Sequence, residues 1–185
     1  MFIQTEMTPN PATLKFLPGR EVMTEGTANF TRPEDAGHSP LALRLFGLDG
    51  VAGVFLGSDF VTVTKMPDRE WDSLKPMILG SIMDHFTSGQ PVVSGGGAAI
   101  VAEDDSDDDE IVAQIKDLIE TRVRPAVAQD GGDILFRGFE DGIVYLHMQG
   151  ACSGCPSSTA TLRHGIENML RYYVPEVQEV RPVEY

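Results

Sequence analysis

The residues best suited to chemistry in this 185-residue chain are two thiols, Cys152 and Cys155, its only cysteines. They stand in Gly150-Ala151-Cys152-Ser153-Gly154-Cys155-Pro156-Ser157-Ser158. A pair at this spacing can chelate one metal ion or two irons of one cluster, whereas a tetrahedral zinc or a four-iron cluster normally takes four protein ligands. The chain therefore carries half of a metal site. A symmetric partner bringing the same pair would complete it, so the residues point to an iron–sulfur cluster held between two chains. A zinc ion shared by two chains would use the same four sulfurs, and spacing does not separate the two.

The elements around the cysteines fit such a site. Ile134-Leu135-Phe136-Arg137-Gly138-Phe139 and Ile143-Val144-Tyr145-Leu146-His147-Met148 flank Asp141-Gly142, which predicts a β-hairpin leading into the cysteines. Leu162, Ile166, Met169, Leu170 and Tyr173 recur at helical spacing after them, and Pro156 suits a first helical turn. The cysteines thus enter a helix N-terminus, whose unpaired N–H groups and positive dipole end favour thiolate and a bound anion. Gly150, Ala151, Ser153 and Gly154 let backbone and cluster approach closely. Before the hairpin, Ile111, Ile115, Leu118, Ile119, Arg122 and Val123 mark a helix, with Asp108 or Asp109 as its cap and Pro125 bending or ending it. Gln129-Asp130-Gly131-Gly132-Asp133 is turn chemistry, and Val177 to Val183 reads as a returning edge strand. The order is αββαβ.

Charge locates the boundary of this unit. Glu103, Asp104, Asp105, Asp107, Asp108, Asp109 and Glu110 put seven acidic residues into eight positions of a chain whose net charge is −14. Val92-Val93-Ser94-Gly95-Gly96-Gly97-Ala98-Ala99 precedes them. A glycine-rich and then acidic stretch cannot bury a face and repels itself into an extended form, so 92–108 reads as a flexible linker between domains at 1–91 and 109–185 that can move independently. The glycine triplet lacks the Gly-Lys-Ser/Thr of a phosphate loop.

In the first domain two short extended runs flank Thr8-Pro9-Asn10-Pro11, where the prolines demand a turn. Ser39-Pro40 starts a short helix with Leu41, Leu45 and Phe46 inward. Val51-Ala52-Gly53-Val54-Phe55-Leu56 and Phe60-Val61-Thr62-Val63-Thr64 form a hairpin across Gly57-Ser58-Asp59. Trp71, Leu74, Ile78, Ile82 and Phe86 predict a second helix on that sheet, kinked or started at Pro76. The result is a small α+β unit, ββαββα in order, with no catalytic constellation. His38 and His85 have no cysteine or second histidine near them and read as surface or structural residues.

Taken together, Gln129-Asp130-Gly131-Gly132-Asp133, the hairpin and Cys152-Ser153-Gly154-Cys155-Pro156-Ser157-Ser158 resemble the C-terminal domain of NifU, shared by Nfu-type iron–sulfur scaffold and carrier proteins. Met7-Thr8-Pro9-Asn10-Pro11-Ala12-Thr13-Leu14-Lys15-Phe16 and Gly57-Ser58-Asp59-Phe60-Val61-Thr62-Val63-Thr64-Lys65 resemble the Nfu N-terminal domain. The resemblance implies a protein that assembles or receives a [4Fe–4S] cluster between two chains and passes it to apo-proteins. It implies Cys152 and Cys155 as the ligands, a homodimer on cluster binding, upstream assembly proteins as donors, and transfer rather than enzymatic turnover. Mitochondrial members carry a targeting presequence that is absent here, which implies a bacterial cytoplasmic member.

Other readings are weaker on the residues themselves. A thiol–disulfide oxidoreductase also sets Cys-x-x-Cys at a helix start, but it wants βαβ units around the motif, and here a hairpin leads in. A buried, reduced pair without ligand sits poorly in glycine-rich, helix-capping surroundings. His147 and His164 read as packing or surface residues before any role near the cluster, and Asp130 and Asp133 read as turn residues before a metal or acid–base pair. The acidic balance argues against nucleic acid or an anionic membrane as partner. No ~20-residue apolar run or signal-peptide pattern occurs, and two cysteines cannot staple a secreted fold of this size, so a reducing cytoplasm is expected.

Overall fold

The computed structural model describes residues 2–8, 10–94, 109–152 and 158–183, and over 158–162 the backbone alone. It is an α+β structure in two regions. The first holds β1 (Gln4–Met7), β2 (Thr13–Leu17), β3 (Ala28–Phe30), α1 (Pro40–Phe46), β4 (Val51–Leu56), β5 (Val61–Lys65) and α2 (Trp71–Ser88). Its sheet is antiparallel throughout, in the order β1-β2-β5-β4-β3. The predicted hairpin across Gly57-Ser58-Asp59 is present, and the two extended runs on either side of the 8–11 turn pair with each other as β1 and β2. The strand β3 was not anticipated, because three residues are too few to display alternation and the pairing with β4 supplies what the local pattern lacks.

Period-2 alternation decides which side of this sheet is core. Leu14, Phe16, Val54, Leu56, Val61 and Val63 face inward against Leu41 and Leu45 of α1 and Leu74, Ile78 and Ile82 of α2. Removing such a fully buried aliphatic side chain from water stabilises by roughly 2 kcal/mol. Ser39 caps α1, its hydroxyl accepting from Ala42 N at 3.1 Å, as Ser39-Pro40 predicted. Pro76 neither starts nor ends α2, which already begins at Trp71. It falls early enough that its missing N–H deprives only a carbonyl of the first turn. Gly89, at φ 71, closes the helix in the left-handed conformation.

The second region runs α3 (Glu110–Leu118), a π turn (Ile119–Val123), α4 (Arg124–Gln129), β6 (Gly132–Glu140), β7 (Ile143–Gly150), α5 (Ser158–Tyr173) and β8 (Glu179–Val183). This is the αββαβ order read from the sequence. β6 and β7 are antiparallel across Asp141 (φ 51) and Gly142 (φ 79), and β8 returns parallel to β7 at the sheet edge. Pro125 neither bends the chain away nor stops it. The helix widens to a π turn just before the proline, which accommodates its missing donor, and resumes as α4. Asp109 stands at the N-cap of α3, but its side chain makes no capping hydrogen bond. Ile115, Ile119, Val127, Ile134, Leu146, Ile166, Leu170 and Val180 form the core.

Of the stretch read as linker, Val92 and Val93 pack against the first core. Ser39 Oγ donates to Val92 O at 2.6 Å and Ser94 N donates to His38 O at 2.7 Å. Residues 95–108 lie outside the described residues. No helix among the described residues is long and apolar enough to cross a membrane.

His85, on α2, is fully buried and meets the Phe86 ring edge-on at 5.4 Å. Neither ring nitrogen hydrogen-bonds among the described residues. Burial, then the nearby Arg44 charge, lowers its pKa; the Gln90 backbone opposes this without forming a hydrogen bond of ordinary geometry. A depressed folded pKa means that the unfolded chain binds the proton more readily. Stability is therefore full above the unfolded value near ~6.5 and is lost as pH falls from there toward the lower folded value. Thermal melts at about pH 7.5 and about pH 5.5 should show this loss, and His85→Leu should flatten it; an unchanged pH dependence in the variant would remove His85 as its source.

Candidate functional site

Cys152 sits two residues beyond the end of β7 and is 6% exposed, inside the second core. Its seat is built from backbone. Gly132 and Gly150 are partners at the open end of the hairpin, and Ala151 N donates to Gly131 O at 3.2 Å. A Cβ at Gly132 would lie 2.5 Å from Cys152 Sγ and 2.9 Å from both Cys152 N and Gln149 O. At Gly150, with φ 62, a Cβ would lie 2.7 Å from Gly131 O. The Asp-Gly-Gly-Asp turn thus does more than reverse the chain: its bare backbone leaves the volume the cysteine sulfur occupies. Cys155 lies outside the described residues, as does Pro156, so the structure brings one of the two predicted ligands into its setting and leaves the other undescribed.

Asp133 holds the turn. It is 3% exposed and takes a bidentate pair from Arg124, Nε to Oδ1 at 2.9 Å and Nη2 to Oδ2 at 3.0 Å. It also accepts from its neighbour Ile134 N at 2.8 Å and from Thr27 Oγ1 at 2.8 Å. With Glu120 on its other side at 2.6 Å, the Arg124 guanidinium is held well above its usual range, chiefly by the Asp133 hydrogen bonds. A buried carboxylate with this set of donors is structural, as the sequence suggested for Asp133. Asp130 ends α4, its N–H bonded to Val127 O at 3.1 Å. His147 Nδ1 is 3.2 Å from Val183 O and ties β7 to β8, while His164 is exposed on α5.

Residues of the first domain reach this seat, and sequence reasoning missed them. Lys15 Nζ donates to Ala128 O at 3.0 Å and to Gln129 O at 3.3 Å. Thr62 Oγ1 donates to Gly131 O at 2.7 Å, and Asn10 Nδ2 to Ala151 O at 3.4 Å. Alternation in β2 and β5 did place Lys15 and Thr62 on the side of the sheet away from its helices, but no local pattern says what covers that side. The two domains, expected to move independently, meet in this structure at the turn behind Cys152.

Comparison with known proteins places both halves of the chain in described families. Residues 3–89 match the family described as scaffold protein Nfu/NifU N terminal, and residues 115–181 match the NifU-like domain. The human protein named NFU1 iron-sulfur cluster scaffold homolog, mitochondrial, is 52% identical over 184 residues, covering 99% of this chain and 72% of its own length. NifU-like protein 4, mitochondrial, of Arabidopsis thaliana is 56% identical, covering 97% of this chain and 65% of its own length. A solution structure of a NifU-like protein from Saccharomyces cerevisiae is 29% identical over 51% of this chain and 85% of its own, with a TM-score of 0.46. A two-domain α+β chain with a thiol seated at the end of a hairpin is the class that fold and site define. The chain belongs to the Nfu/NifU scaffold family.

One expectation is corrected here. The relatives at this level of identity are named mitochondrial, so the cytoplasmic placement does not stand. The expectation drew on the absence of a presequence, and a chain that spans 65–72% of its relatives' lengths carries no such information.

Gly132 offers a test of the seat with its own internal control. Gly132→Ala should destabilise by about 1–3 kcal/mol, because sulfur and two backbone atoms must give way together. Gly138→Ala, at the β6 bulge with nothing within 4 Å of the added Cβ, should be nearly neutral. Denaturant unfolding of both variants measures the difference, and equal stabilities would show that the seat is not tight.

Proposed function

We propose that this protein holds a [4Fe–4S] cluster between two chains, each giving Cys152 and Cys155, and transfers it to apo iron–sulfur proteins. The observation that carries the reading is that the chain has two cysteines where a four-iron cluster normally takes four thiolates. Membership of the Nfu/NifU scaffold family supports it. With only Cys152 and Cys155 in the chain, the second pair of thiolates falls to a second chain.

The cluster is cargo, and the work of the protein is to hold and release it. Two chains that each contribute two sulfurs release it by stepwise exchange, each step breaking an iron–sulfur bond to one of these cysteines and forming one to a client thiolate, with no change of oxidation state. Separation of the two chains removes ligands from both sides at once, which suits a carrier. Upstream assembly proteins supply the cluster, and the first domain, without catalytic residues, serves recognition.

Anaerobic reconstitution with iron and sulfide tests the reading. About two irons and two sulfides per chain, in a species of twice the chain mass, are expected. Cys152→Ser and Cys155→Ser should each abolish cluster holding while the fold persists. A colourless monomer that binds zinc would move the site to a structural metal, and full iron content in either variant would remove that cysteine from the ligand set.

A further inference from the structure

The sheet of the first domain is buried on both sides, although its helices cover only one. The row Phe55, Thr62 and Lys15 runs across neighbouring strands on the side away from α1 and α2. In an antiparallel sheet with one packed face this row belongs in water. Phe55 is instead 1% exposed, Thr62 1% and Lys15 7%. Phe60, 3% exposed, lies 5.9 Å from the Phe55 ring, and the Lys15 ammonium stands 4.7 Å over the Phe60 centroid. None of these side chains belongs to the core formed with the helices.

The other domain covers this row through the backbone on which Cys152 rests. Lys15 donates to the last carbonyls of α4, Ala128 and Gln129, at the negative end of the helix dipole; Ala128 O also accepts from Gly131 N at 3.1 Å. Thr62 donates to Gly131 O. Phe55 lies so near Gly150 that a Cβ there would come within 3.0 Å of its ring. Asn10 reaches Ala151 O. Glycine at 131 and 150 is what permits this approach, because the added Cβ at 131 would meet Thr62 Oγ1 at 2.9 Å.

We propose that this outer face is a docking surface for the chain's own second domain, and that Lys15 and Thr62 are positioning residues that latch the Gly131–Gly150 seat of Cys152. The buried Lys15 ammonium has Glu6 Oε2 at 3.9 Å on its own domain but finds its hydrogen-bond acceptors on the second domain, where Phe55 also meets the Gly150 backbone. The recognition is of main-chain carbonyls at a helix end and a glycine turn. Docked, the first domain restrains the seat; undocked, the seat relies on its own hairpin. For cluster handling the latch matters because Cys152 is taken as a ligand, which rests on the function proposed above.

The volume-conserving double variant Lys15→Met/Thr62→Val of the full apo-chain tests the latch by hydrogen exchange and by site-resolved alkylation of Cys152. Amide exchange at Gly131, Gly132 and Ala151 is expected to rise by about tenfold or more, and Cys152 alkylation with it, while Val63 and Leu170 in the two cores keep their protection. Unchanged exchange at the three seat amides overturns the proposal. If protection falls throughout the chain, Lys15→Met alone decides: it keeps the aliphatic stem over Phe60 and must still loosen the seat, and failure to do so overturns the latch. Iron content of reconstituted wild-type protein separates the two readings. A wild type without cluster fails as a carrier whatever the latch does, and a variant with an unaltered seat fails as a latch whatever the wild type binds.

Discussion

The close approach of two backbone segments, Gly131-Gly132 at the start of β6 and Gly150-Ala151 at the end of β7, is the constraint on which the site depends. Side chains of any size would separate the segments, since added Cβ atoms at 132 and 150 would fall 2.5–2.7 Å from Cys152 Sγ and Gly131 O. Everything around the approach holds it shut. The Ala151–Gly131 hydrogen bond closes it from within, and the Arg124–Asp133 pair fixes the turn to α4. Removing Arg124 would strip the buried Asp133 carboxylate of its counterion, whereas Arg124, a quarter exposed, would keep Glu120. The thiol is thereby presented by rigid main chain, the condition under which a ligand keeps its geometry.

The first domain has the same constraint imposed from outside. Its helices settle one face of its sheet, and its other face bears a buried lysine, threonine and two aromatic rings, with Lys15 and Thr62 bonded to the second domain. Docking joins the family's two modules at the backbone behind Cys152. The carbonyls it grips stand at the negative end of the α4 dipole, where a cation is favoured.

Much of the fold was legible in the residues. Asp141-Gly142 and Gly57-Ser58-Asp59 marked their hairpins because positive φ or a tight reversal is written in residue type, and Ser39-Pro40 marked a capped helix for the same reason. The second domain's αββαβ order followed from apolar period together with the turn and proline signals between its runs. What failed was subtler. The three-residue strand β3 owes its existence to β4, Pro125 was absorbed by a π turn, and Asp109 occupies a cap position without using its side chain. Localisation went wrong because an absent leader was treated as informative.

By itself the sequence determined the kinds of chemistry available and the local elements that bear them: two thiols at chelating spacing, a glycine turn, a hairpin and a helix, each set by forces acting over a few residues. Only the tertiary structure decided that Gly132 makes room for Cys152, that Asp133 is spent on Arg124 and Thr27, and that Lys15 and Thr62 lie over the turn at 128–131. Those relations join residues from 9 to 114 positions apart. Periodicity says which face of a strand a residue is on, but what covers that face is settled by packing between surfaces that no local pattern records.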